Sequence, residues 1–115
     1  MDTHKLTADA LALLRALIAT PSVSRSEDAA ADTMAQDYRR EANNLWVVAP
    51  HYDSARPTLL LNAHIDTVKP VDSWTRNPYS PTLEGDTLYG LGSNDCGGGL
   101  VSLLQVFRAM AGRPR

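Results

Sequence analysis

The clearest hydrophobic pattern along the chain is a helical one near its start. Over residues 7–19, apolar side chains recur three and four positions apart and share one face: Ala10, Leu13, Leu14, Leu17 and Ile18. This predicts a helix that ends before Pro21, because the residue preceding a proline disfavours the α region. Ser24 and Glu27 then have the spacing of a capping box, which predicts a second helix over residues 25–40.

A second pattern, an uninterrupted apolar run that ends in polar residues, occupies positions 59–68. It is typical of a strand buried on both faces of a parallel sheet. His64 and Asp66 stand two positions apart, so on a strand they would project to the same side. They would lie at the carboxyl end of that strand, where open α/β sheets bind their ligands.

The remaining patterns complete the predicted architecture. We expect a strand over residues 44–49, a hairpin over 82–89, and a final helix over 100–110 that is apolar around most of its circumference. Such a helix is typical of the core of a larger unit. The order of elements predicts an α/β fold, a layered sheet with flanking helices, as one domain over residues 1–115.

Composition narrows the classes of function. The 115 residues are 43% hydrophobic and 21% charged, which is typical of a globular protein. A net charge of -2 without a basic cluster argues against a nucleic-acid partner, and no apolar run is long enough to predict a membrane span. One cysteine excludes an internal disulfide, and the start of the chain does not resemble a signal peptide, so we expect a cytoplasmic protein.

His64 and Asp66 allow two interpretations. A neutral imidazole binds divalent metal ions, and a nearby carboxylate fixes the orientation of its ring. Alternatively, the two side chains form a hydrogen-bonded pair without a metal.

A glycine-rich stretch over residues 90–99 precedes the final helix and carries Asp95. A dinucleotide fingerprint fails because Asp95 stands where the third glycine belongs, and a phosphate-binding loop fails because the lysine is missing. Two interpretations of Asp95 remain. It belongs to a cation site, where it could bridge two divalent ions, or it is the N-cap of a helix starting near Gly97.

Cys96 could be a nucleophile at a helix N-terminus, although no histidine lies nearby in sequence to act as its base. A serine hydrolase is excluded because the chain has no nucleophile-elbow motif.

Taken in order, these motifs resemble the N-terminal part of the catalytic domain of M20 metallopeptidases, which include acetylornithine deacetylase, succinyl-diaminopimelate desuccinylase and carboxypeptidase G2. The resemblance is carried by residues 64–68 (HIDTV), residues 90–98 (GLGSNDCGG), Trp74, Pro78, the turn at 21–24 and the strand at 43–47. The form of the second motif is most similar to acetylornithine deacetylases.

The resemblance implies a zinc-dependent amidohydrolase that removes an N-acyl group from an amino acid, with a role in amino-acid biosynthesis and in arginine biosynthesis in particular. His64 would bind one zinc ion, Asp95 would bridge two, and Asp66 would serve catalysis by orienting His64. Cobalt is an alternative metal, a small N-acyl amino acid is the expected substrate, and a peptide bond in the cis form is expected after Asp95.

The resemblance also implies parts that these residues do not contain. The family has five metal-ligand residues, a general-base glutamate and a lid domain through which homodimers form, whereas only two of the ligands occur here. We therefore expect an N-terminal portion of the catalytic domain that is inactive alone. The alternative is a non-catalytic fragment that binds metal weakly or not at all, since zinc sites use three or four protein ligands.

Overall fold

A computed structural model describes residues 2–34, 38–111 and 113 of the chain. In these ranges it has three helices, α1 (Thr3–Ala19), α2 (Asp28–Met34) and α3 (Gly99–Ala111), and four strands, β1 (Arg39–Glu41), β2 (Asn44–Trp46), β3 (Thr82–Glu84) and β4 (Thr87–Tyr89). An irregular helical turn, Ser93–Gly98, leads into α3 and is called the glycine-rich turn below.

Helix α1 confirms the predicted N-terminal helix and begins four residues before position 7. The carboxylate of Asp2 accepts a hydrogen bond from the backbone N–H of His4 at 3.0 Å, which satisfies one of the free N–H groups of the first turn. The helix ends where expected, since Thr20 is extended ahead of Pro21.

The second helix is shorter than predicted. The prediction of a helix over 25–40 is wrong at both ends, because α2 begins at Asp28 and the C-terminal part of that range is strand β1; residues 35–37 lie outside the described ranges. Ser24 does not cap α2. Its hydroxyl donates instead to the carboxylate of Asp66 at 2.5 Å, a contact between segments far apart in sequence.

Segment 59–68 has no regular secondary structure and does not form the predicted buried strand. The side chains of Leu59 and Leu60 are 83% and 80% exposed. A strand is stable only when neighbouring strands satisfy its backbone, and within this segment the structure has a single isolated parallel bridge, between Thr67 and Val23. The predicted layered sheet is therefore not confirmed in the described part of the chain, although the mixed helix and strand content is.

The strands form two separate antiparallel hairpins, β1–β2 and β3–β4. The hairpin β3–β4 confirms the prediction, with Leu83 opposite Leu88 and the turn at Gly85. The hairpin β1–β2 was not predicted, and its second strand stops at Trp46, short of the predicted end at residue 49.

The core forms where α1 packs against α3, the glycine-rich turn and α2. Its buried apolar residues are Ile18, Ala30, Ala31, Leu91, Leu100 and Val101. A Cβ atom at Gly90 would lie 2.4 Å from Cγ2 of Ile18, so the chain needs glycine to pass this close to α1. None of the helices in the described ranges has the length and apolarity that a membrane crossing requires.

Candidate metal centre

Two segments that are far apart in sequence bring their functional side chains together. Nε2 of His64 lies 3.1 Å from Oδ1 of Asp95, across a separation of 31 residues. The convergence expected from the sequence is thus present. It does not depend on the predicted sheet, since neither segment belongs to a regular strand.

The position of Asp95 follows from close packing of the glycine-rich turn. A Cβ atom at Gly92 would lie 2.6 Å from Cγ2 of Thr67, and one at Gly97 would lie 2.6 Å from both the Gly92 carbonyl oxygen and Cδ1 of Leu14. The missing side chains therefore let the turn lie directly against α1 and the end of segment 59–68. The Asp95–Cys96 peptide bond is cis, as the resemblance implies.

Asp95 does not act as a helix cap. Its carboxylate contacts the ring of His64, and helix α3 begins four residues further along the chain, at Gly99. Its side chain is 87% exposed, which leaves carboxylate oxygen accessible beside His64.

The imidazole of His64 is held on its other side by Asp66. Nδ1 lies 3.0 Å from the backbone oxygen of Asp66 and 3.3 Å from its carboxylate Oδ1. A proton on Nδ1 can be donated to these acceptors, and this tautomer leaves the lone pair of Nε2 directed at Asp95. A metal-binding histidine typically uses this arrangement.

Interactions among these side chains favour the charged forms of His64 and Asp66. The hydrogen bond to the backbone of Asp66 is the largest contribution raising the pKa of His64, and Asp95 adds to it. The hydrogen bond from Ser24 is the largest contribution lowering the pKa of Asp66. Without a metal, the contact between Nε2 and Asp95 is therefore best satisfied by a protonated imidazole, and a metal ion would compete with that proton.

The spacing of the two donor atoms fits a shared metal ion. Zinc bonds to histidine nitrogen and carboxylate oxygen place two tetrahedral ligands about 3.3 Å apart, close to the 3.1 Å between His64 and Asp95. The donor set is incomplete, however, because the described residues contain no cluster of three histidine, cysteine, aspartate or glutamate side chains that could hold a metal. These two donors alone therefore make an incomplete metal site.

Sequence reasoning did not find the role of Ser24, which it assigned to a helix cap. Its hydroxyl contacts the carboxylate of Asp66, and no local spacing signals a partner 42 residues away.

Cys96, the candidate nucleophile, is half-buried. Nε2 of His64 is directed at Asp95 and does not serve as a base for the thiol. The site therefore combines nitrogen and carboxylate donors, with a serine supporting them.

A known protein family matches the part of the chain that contains both segments of the site. Residues 60–114 match the model of the peptidase family M20/M25/M40, a range that contains His64, Asp66 and the glycine-rich turn. The chain belongs to this family of peptidases and their relatives.

Among curated relatives, the chain is 31% identical over 111 residues to the succinyl-diaminopimelate desuccinylase of Blochmanniella floridana, covering 84% of this chain and 29% of that protein. It is 30% identical over 110 residues to the enzyme of the same name from Xanthomonas euvesicatoria, with 84% and 28% covered. It is also 38% identical over 60 residues to the acetylornithine deacetylase of Dictyostelium discoideum, which covers 50% of this chain and 13% of that protein. The chain thus spans less than a third of the length of these relatives.

Proposed function

We propose that this chain contributes the His64–Asp95 part of the metal centre of an amidohydrolase that removes an N-acyl group from an amino acid. The observation that carries the proposal is the 3.1 Å approach of Nε2 of His64 to Oδ1 of Asp95. Both residues lie inside the range that matches the M20/M25/M40 family. A buried structural pair would not leave the carboxylate this exposed to solvent.

Each residue has a separate task in this proposal. His64 offers the lone pair of Nε2, and Asp95 offers two oxygens, so that one carboxylate can serve two adjacent ions. Asp66 holds the proton on Nδ1 and keeps the ring from rotating. Bound zinc, or cobalt in its place, would supply Lewis acidity that polarises an amide carbonyl and makes water acidic enough to attack it near neutral pH.

The names of the relatives support an N-acylated diamino acid as the substrate class. One group removes succinyl from diaminopimelate and the other removes acetyl from ornithine. Both reactions cleave an amide on an amino-acid nitrogen, which is the chemistry proposed here. The sequence of residues 90–98 supports acetylornithine as the substrate. The longer alignments with desuccinylases support succinyl-diaminopimelate.

A second candidate is a chain that is folded but not catalytic. It is favoured by the donor count, since two protein donors hold zinc weakly and the described residues provide no cluster of three. In this case the natural gene product would bind metal weakly or not at all and would turn over no substrate.

Hydrolysis by the natural gene product separates these candidates. We would measure release of free amine from N-succinyl-diaminopimelate and N-acetylornithine with zinc or cobalt present, for the wild type, His64→Ala and Asp95→Asn. His51→Ala is the matched control, because His51 is an exposed histidine in a turn.

We expect hydrolysis of at least one substrate, a loss of more than about 100-fold in both site variants, and an unchanged rate in the control. Loss in the site variants alone would support the proposal. The absence of hydrolysis with either substrate and metal would favour the non-catalytic candidate, and equal rates in all variants would show that the two residues are not part of the reaction centre.

A further inference from the structure

We propose that Ser24 is a positioning residue of the metal centre, acting on His64 through Asp66; this inference rests on the proposed function. Its hydroxyl donates to Oδ2 of Asp66 at 2.5 Å. The other oxygen of the same carboxylate, Oδ1, lies 3.3 Å from Nδ1 of His64. One oxygen therefore faces the serine and the other faces the imidazole, so the serine sets the rotation of the carboxylate.

The backbone holds Ser24 in this place. The N–H of Ser24 donates to the carbonyl oxygen of Thr67 at 3.0 Å, and the N–H of Thr67 donates to the carbonyl oxygen of Ser22 at 2.8 Å. These two bonds form the parallel bridge that joins the stretch after α1 to the end of segment 59–68. The hydroxyl of this exposed serine is therefore positioned by a backbone that hydrogen bonds hold in place.

The chain turns away immediately after this contact. Arg25 has a left-handed φ of 72°, and the N–H of Ser26 donates to the carbonyl oxygen of Val23 at 2.8 Å, closing a tight turn. Position 24 is therefore the last residue of this stretch that runs alongside the site. The turn directs the following residues into α2, which accounts for the failure of the capping-box prediction.

The energetic consequence concerns the tautomer of His64. A carboxylate free to rotate would present its negative charge to Nδ1 for less of the time, and the ring would lose part of its preference for a proton on Nδ1. Groups that orient metal-ligating histidines in this way typically change metal affinity by 10–100-fold when removed. We expect the lower end of this range, because the backbone oxygen of Asp66 also contacts Nδ1 at 3.0 Å.

The test compares four chains: wild type, Ser24→Ala, Ser24→Thr and Ser26→Ala. Ser24→Thr keeps the hydroxyl, and Ser26→Ala removes a neighbouring exposed serine as the matched control. The first readout is the tautomer of His64 in the chain without added metal, from long-range proton–nitrogen NMR correlations at a pH above the titration of its ring, where the imidazole is neutral. The second is the dissociation constant for zinc, measured by calorimetry.

We expect Ser24→Ala to shift His64 toward the Nε2–H tautomer and to weaken zinc binding about 10-fold, with Ser24→Thr and Ser26→Ala like the wild type. In an Asp66→Ala background, which removes the carboxylate between the two residues, Ser24→Ala should have no further effect. An unchanged tautomer in Ser24→Ala, or an equal change in Ser24→Thr, would overturn the inference.

The tautomer readout needs no metal, so it separates this inference from the proposed function. The tautomer could shift as described although none of the chains binds zinc. That result would support the positioning role of Ser24 and contradict the metal centre. If zinc binds to the wild type and to Ser24→Ala equally well, the metal centre stands and the role of Ser24 is refuted.

Discussion

Glycine at position 92 allows the two segments of the site to approach each other. Its φ of 74° is in the left-handed region, and a Cβ atom there would lie 2.6 Å from Cγ2 of Thr67. Any other residue at position 92 would therefore be destabilising for two reasons. Its backbone would be strained, and its Cβ atom would clash with the segment that carries His64 and Asp66.

Gly92→Ala should therefore destabilise the fold more than a change at an unhindered left-handed glycine. Gly85 is the matched control, because its φ is 56° and a Cβ atom there meets nothing within 4 Å. We expect Gly85→Ala to lower the free energy of unfolding by about 1 kcal/mol and Gly92→Ala by about 2–3 kcal/mol, measured by urea denaturation. Equal losses in the two variants would contradict the close packing of the turn against Thr67.

Individual site residues were partly predictable from the sequence. His64, Asp66 and Asp95 stand in motifs whose order is specific enough to suggest that they meet, and the structure brings them together. Ser24 was misassigned because its spacing to Glu27 satisfies a local rule, whereas its actual partner depends on how the chain folds back. The local sequence shows the possible hydrogen bond from Ser24 to the start of α2, but it does not show the competing hydrogen bond to Asp66.

At the scale of elements, prediction succeeded where the stabilising contacts are local. Helix α1 and the hairpin β3–β4 are specified by residues within each element: the apolar face and proline stop in one, the glycine turn in the other. Segment 59–68 has the composition of a buried strand, but a strand in a sheet also needs partners. The described part of the chain gives it one isolated bridge, at Thr67, so its leucines remain exposed.

The hairpin β3–β4 is fixed to the loop before it by a charged pair. The guanidinium of Arg76 donates to both carboxylate oxygens of Glu84, at 2.6 and 3.0 Å, and lies 4.1 Å from the ring centre of Tyr89. The hydrogen bonds from Arg76 lower the pKa of the Glu84 carboxyl. A carboxyl with a lowered pKa stabilises the folded form at pH values above its unfolded pKa, and this contribution disappears as the pH falls through the folded pKa.

Acidification through the lowered pKa of Glu84 should therefore release Arg76 from the hairpin. We expect the carboxyl carbon of Glu84 in NMR titration to show a pKa below that of an unpaired glutamate, and Arg76→Gln to return it to the ordinary range. The pairing would be refuted if Arg76→Gln left the pKa of Glu84 unchanged.

The whole molecule is more open than its length predicts. Its accessible surface is 8114 Å², whereas a compact protein of 12.5 kDa exposes about 6,200 Å². Its radius of gyration is 15.4 Å, compared with about 13 Å for a compact chain of 115 residues. Part of the excess is apolar, with these large side chains exposed: Trp46, Val47, Val48, Tyr52, Leu59, Leu60, Val68, Val71, Leu83, Tyr89, Val106 and Met110.

The exposed leucines of segment 59–68 should make the isolated chain associate with itself, because exposed apolar surface of this extent favours contacts that bury it. We expect Leu59→Lys combined with Leu60→Lys to reduce the concentration dependence of the sedimentation coefficient without lowering the melting temperature. Thr58→Lys, an exposed neighbour, is the control for added charge. A large loss of stability in the double variant would contradict the exposure of these leucines.

The central claim is that His64 and Asp95 hold one divalent ion between them. The most direct measurement is a zinc titration of the nitrogen-15-labelled chain, in which the Nε2 resonances of His64, His51 and His4 are followed together. We predict a saturating shift at Nε2 of His64 that is weakened in Asp95→Asn, with the other two histidines unaffected. Zinc that shifts His51 or His4 instead, or leaves Nε2 of His64 unchanged at saturating concentration, would contradict the account.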